Sequence, residues 1–97
     1  MRITPTQARQ TVAIIRDYLG PEAAVWLFGS RADDTRRGGD VDIYAETPLP
    51  GVLLHETVRA KIALEQVFGH SVDLVVNNHR KERPIYRIAR EEGVRLG

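Results

Sequence analysis

The chain has 97 residues, 42% of them hydrophobic and 28% charged. That is enough apolar material for one small core, which excludes a disordered chain and a fibre. Fourteen basic residues against 13 acidic ones leave a net charge of +1, too balanced to argue for general nucleic-acid binding. The absence of cysteine excludes disulfides, thiolate zinc sites and cysteine nucleophiles. The longest apolar run, Ala23 to Phe28, is far shorter than the roughly 20 residues of a membrane span. Met1 to Gln10 holds no apolar signal segment, so the expectation is a single cytoplasmic domain over residues 1–97 with no membrane contact.

Thr4-Pro5-Thr6-Gln7 is a capping box with proline at the first helical position. Ala8, Val12, Ile15 and Leu19 then recur at helical spacing until Gly20-Pro21. Ala24 to Phe28 reads as a buried strand between Pro21 and Gly29. Arg31 to Gly39 is polar and reads as a loop or one helical turn, and Val41 to Ala45 as a second strand, broken by Thr47 to Gly51. Val52 to Phe68 predicts the longest helix. Its expected apolar stripe is Leu54, Val58 and Ile62, ending in Val67 and Phe68, with Gly69 as its cap. Val72 to Val76 predicts a third strand, Asn77-Asn78 a turn and Pro84 to Glu92 a last helix, after which Val94 and Leu96 can still pack on the body.

The order helix, strand, turn, strand, helix, strand, helix predicts an α/β (α+β) domain with a small mixed sheet of about three strands flanked by helices. So small a sheet buries little surface, and stability is expected to be marginal unless a partner covers it.

Three segments carry the chemistry: Phe28-Gly29-Ser30-Arg31, Gly39-Asp40-Val41-Asp42-Ile43 and Val72-Asp73-Leu74. Side chains alternate along a strand, so Asp40 and Asp42 share one face while Val41 and Ile43 share the other. Asp73 also lies opposite core-facing neighbours, and if the second and third strands pair, all three carboxylates can share a patch. Like charges so close raise a carboxyl pKa unless a cation neutralises them. Mg²⁺ prefers oxygen ligands, and two such ions could clamp the attacking and leaving oxygens of a phosphoryl transfer. In this reading Asp40 and Asp42 bridge both ions, and Asp73 holds one of them and serves as base. Glycine after a strand lets a phosphate approach the backbone, Ser30 offers a hydroxyl, and Arg31 is near enough to reach a triphosphate with its forked donors. Arg36 and Arg37 are weaker candidates on the same loop.

The conjunction of Gly29-Ser30 after a strand, nine intervening residues, Asp40-x-Asp42 and a strand-borne Asp73 resembles the nucleotidyltransferase superfamily of DNA polymerase beta. Within it the chain is most similar to the minimal nucleotidyltransferases, over nearly its whole length. Ala32-Asp33-Asp34 stands where many relatives carry Ala-Arg-Gly, and the interval is one residue shorter than in close relatives. The resemblance implies a nucleotidyltransferase fold. It also implies that Gly29 and Ser30 grip nucleotide phosphates and that Asp40, Asp42 and Asp73 bind two Mg²⁺ ions with the nucleotide. ATP is the implied substrate. Such proteins often act as antitoxins to HEPN-domain toxins, some by transferring AMP to a tyrosine of the HEPN ribonuclease. A chain of 97 residues leaves no space for an acceptor-holding domain, so the acceptor is expected on another subunit or protein, and self-association is left open.

A non-catalytic antitoxin that occludes its partner is the competing reading, and an enzyme acting on a small molecule or an RNA end is a third. His55, His70 and His79 have no ligand spacing and read as surface or boundary residues. Trp26 and Phe28 read as core. Tyr44 either stands beside the nucleotide or packs under a helix. Arg83, Arg87 and Arg90 share one face of the last helix, either as a solvated face or as a docking surface. Residues 21–50 carry net −3 and residues 79–97 net +3, which suits a site holding cations and an anionic ligand together, or two solvated faces.

Overall fold

The computed structural model describes residues 2–32 and 39–97. The first helix, α1 (Pro5–Leu19), begins as its sequence dictates. Thr4 Oγ1 accepts a hydrogen bond from the Gln7 amide at 3.0 Å, and Gln7 Oε1 accepts one from the Thr4 amide at 2.9 Å. Then follow β1 (Ala24–Phe28), a single 3₁₀ turn at Gly29–Arg31, β2 (Val41–Glu46), α2 (Leu54–Phe68), β3 (Val72–Asn77), α3 (Pro84–Glu92) and a two-residue strand β4 (Val94–Arg95).

The sheet order is β3-β2-β1-β4, with β2 and β3 parallel and the other pairs antiparallel. The sheet is therefore mixed, as expected, but has four strands rather than about three. The fourth forms because Gly93 lets α3 end directly against β1. A Cβ there would collide with the carbonyl oxygens of Ala89 and Leu27. The following residues then pair with β1, the Val25 amide donating to Gly97 O and the Leu96 amide to Val25 O, both at 2.8 Å.

Alternation divides the sheet into two faces. Val25, Leu27, Val41, Ile43, Ala45 and Val72 point to one side and bury Ile15 and Leu19 of α1 and Ala60, Leu64 and Phe68 of α2. On the other side Trp26, Phe28 and Tyr44 form a smaller core with Ala89, Ile85 and Tyr86 of α3.

The stripe expected to bury α2 faces outward. Leu54, Val58 and Ile62 are 66%, 45% and 52% exposed, whereas Ala60, Leu64 and Phe68 make the core-facing row. Both rows repeat every four residues, so periodicity alone fits either. The sheet selects the row containing small Ala60, and α1 packs alongside. The helix also starts two residues later than expected, at Leu54.

Tyr44 resolves to packing under a helix. It is fully buried, stacked 5.7 Å from the Tyr86 ring and tilted 5.3 Å from Trp26. Its hydroxyl donates to Glu46 Oε2 at 2.7 Å and accepts from Asn77 Nδ2 at 3.0 Å, while Arg90 pairs with Glu46 at 3.4 Å. One member of the helical arginine row thus serves the fold, and Arg90 also lies over the Trp26 ring. Burial, then the adjacent Glu46 carboxylate, pushes the Tyr44 pKa well above its ordinary value.

The folded-state pKa is raised above the unfolded value of about 10, so the Tyr44 contribution is complete below that pH and is lost as pH climbs past it. Thermal melts should therefore fall more steeply above about pH 10 in the wild type than in Tyr44→Phe. At neutral pH that variant should lose about 1–3 kcal/mol, because Glu46 and Asn77 each lose a buried partner. Equal slopes for the two proteins would contradict the assignment.

Candidate active site

The described carboxylates gather where β1 ends and the parallel strands β2 and β3 begin. In the register of the sheet Phe28 pairs with Asp42, and Asp42 pairs with Asp73. In-register neighbours share a face, so Asp42 and Asp73 lie side by side on the α3 side of the sheet, toward its open end. Asp42 is half-buried and Asp73 exposed; Asp40, also exposed, immediately precedes β2. Among the described residues, no three His, Cys, Asp or Glu side chains converge into a metal-holding group. The structure brings together Asp42 and Asp73, the two members on neighbouring strands.

The turn after β1 fits closely against this pair. Gly29 has φ +73°, and a Cβ built on it would fall on Asp42 Oδ2. Glycine is therefore needed twice, for the left-handed backbone and for the space the Asp42 carboxylate fills. Ser30 follows in the same 3₁₀ turn and is half-buried. The donors here are hard carboxylate and hydroxyl oxygens, the chemistry that a divalent cation such as Mg²⁺ prefers.

Arg31, expected at a triphosphate, already braces the backbone. Its Nη2 donates to Gly39 O at 2.9 Å and its Nη1 to Arg2 O at 3.4 Å. Gly39 directly precedes Asp40, so this guanidinium sets the start of the Asp-x-Asp segment. Its buried Nε has no hydrogen-bond partner among the described residues. Asp33, Asp34, Arg36 and Arg37 lie outside the described residues.

Two supporting residues escaped the sequence reading. Arg2 ties the chain start to the turn through its amide to Arg31 O at 2.8 Å and its Nη2 to Ser30 O at 3.2 Å. Glu65 of α2 reaches the Val72 amide at 3.0 Å while pairing with Lys61 at 2.7 Å, and so anchors the residue before Asp73. The Lys61 ammonium, then the Val72 amide, holds the Glu65 carboxyl below its ordinary pKa. The i,i+4 spacing of Lys61 and Glu65 announces their ion pair, but nothing in the sequence announces the reach to β3.

A family model described as a nucleotidyltransferase domain matches residues 8–96 of the chain. No curated protein matches it. Among the described residues, no helix is long and apolar enough to cross a membrane.

Gly29→Ala should push Asp42 out of its place and strain the left-handed turn. Denaturation should show a loss of about 1–3 kcal/mol. An unchanged midpoint would show that the close approach of Gly29 and Asp42 is not needed.

Proposed function

The chain belongs to the nucleotidyltransferase domain family, and from that premise we propose that it transfers AMP from ATP to a hydroxyl of a partner protein. The observation that carries this reading is the in-register pairing of Asp42 with Asp73 beside the Gly29 turn. Gly29 and Ser30 of the turn meet the phosphates, with Arg31 adding positive charge at their side. Two Mg²⁺ ions held by Asp40, Asp42 and Asp73 would supply the charge that makes the crowded carboxylates and the triphosphate compatible. Asp73, the more exposed of the pair, takes the proton of the acceptor hydroxyl. The acceptor oxygen bonds to the α-phosphorus, the bond from that phosphorus to the oxygen bridging to the β-phosphate breaks, and pyrophosphate leaves with the electron pair.

For the partner we propose a HEPN-domain toxin, with this chain as its antitoxin in the cytoplasm. Support comes from the row Leu54, Val58 and Ile62, which the fold leaves exposed along one side of α2. The absence of cysteine fits a reducing compartment. The same exposed row favours a second reading, a non-catalytic antitoxin that neutralises by covering its partner.

Asp42→Asn and Asp73→Asn should each lower AMP incorporation about 100-fold or more, with circular dichroism unchanged. The measurement is intact mass of the protein encoded in the adjacent reading frame after incubation with Mg-ATP. A full adduct with either variant contradicts the catalytic assignment. Neutralisation of the toxin that survives loss of all three carboxylates selects occlusion.

A further inference from the structure

Strand β3 is an edge of the sheet, and its outer side is open along part of its length. The Val41 amide donates to Ser71 O and the Thr47 amide to Asn77 O, so odd-numbered residues turn their backbone toward β2. Val72, Leu74 and Val76 therefore turn theirs outward. The chain closes both ends of this edge with its own side chains. Glu65 takes the Val72 amide at 3.0 Å, and the Tyr86 hydroxyl reaches Val76 O at 3.4 Å. Between them the outward N–H and C=O of Leu74 meet no partner among the described residues.

Edge strands are ordinarily guarded by proline, lysine or a bulge. Val72–Asn77 carries none of these, and its pairing with β2 is one-to-one throughout. A cleft of about 760 Å³ lies over Asp73 to Val76 instead. One wall is apolar, with Val52 and Leu54 72% and 66% exposed, and Asn78 fixes it by donating to Leu49 O at 3.1 Å and Gly51 O at 2.8 Å. The lining also carries Arg80, Lys81 and Arg83.

We propose that this cleft binds an extended acidic segment of the partner protein as a fifth strand on β3, with the acceptor hydroxyl carried by that segment beside Asp73. Open backbone groups supply the affinity of strand addition, the Val52 and Leu54 wall takes alternate apolar side chains, and the basic residues of the lining select acidic ones. Asp73 is itself part of the cleft lining, so a strand seated there runs past the proposed base. The proposal rests on the reading that the acceptor is a protein.

The probe is an acetylated eight-residue peptide alternating glutamate and valine around a central tyrosine, followed by fluorescence anisotropy without nucleotide. The expected result is binding, with hydrogen exchange at the Leu74 amide slowed about tenfold or more. Affinity should fall about tenfold or more for the lysine-for-glutamate peptide, for a peptide N-methylated on its bonding edge, and for the Arg80→Glu/Lys81→Glu protein. Failure of the acidic peptide to bind overturns the proposal, as does equal binding of the N-methylated peptide. Sedimentation showing that a second copy of the chain pairs along β3 also overturns it. The nucleotidyl-transfer reading fails separately, through full activity of the Asp42 or Asp73 variants, and peptide binding does not depend on that result.

Discussion

Two aspartates, Asp42 and Asp73, stand in register on adjacent parallel strands, and the pairing of the sheet fixes their backbone positions side by side. Strands lie about 4.8 Å apart, and the Asp42–Asp73 register is enforced by the row that includes Ile43 and Leu74 on the opposite face. Sliding β3 by one residue would turn Val72 to solvent and Asp73 into the core, so apolar packing on one face fixes the charge geometry on the other. The register is anchored to the better-packed side of the molecule. Gly29, with no side chain, leaves the space that the Asp42 carboxylate fills.

The supports of this pair are distributed over the whole chain. Arg31 and Arg2 tie the turn after β1 to the start of β2 and to the chain start. Glu65 holds the beginning of β3 from α2. At the far end of the same face, Tyr44, Glu46 and Asn77 form a polar cluster under α3, joined from the surface by the exposed Arg90. It closes that half of the face, while Asp73 at the other end is exposed.

Much of this was legible in the sequence, and the exceptions have physical causes. The capping box of α1, the apolar run of β1 and the alternation in β2 each state one structure without ambiguity, and the alternation also places Asp42 beside Asp73 in the register, though no patch of all three carboxylates converges among the described residues. The outward row of α2 was misread because Leu54, Val58, Ile62 and Ala60, Leu64, Phe68 have the same spacing, and only the shape of the sheet chooses between them. Two-residue β4 is too short to show a period and depends on Gly93 meeting β1. Arg31 was read by charge as a phosphate ligand, yet its guanidinium is turned to backbone carbonyls that no pattern of side chains reveals. The exposed α2 row and the open β3 edge mark the surfaces where the domain remains incomplete.

The most direct test is titration of Mn²⁺, a paramagnetic substitute for Mg²⁺, into the protein with ATP, read by water-proton relaxation. If the paired carboxylates form a cation site, the wild type will enhance relaxation, and Asp42→Asn and Asp73→Asn will each abolish most of the enhancement while remaining folded. An enhancement of the same size and affinity in both variants would show that the two aspartates stand together without holding a cation.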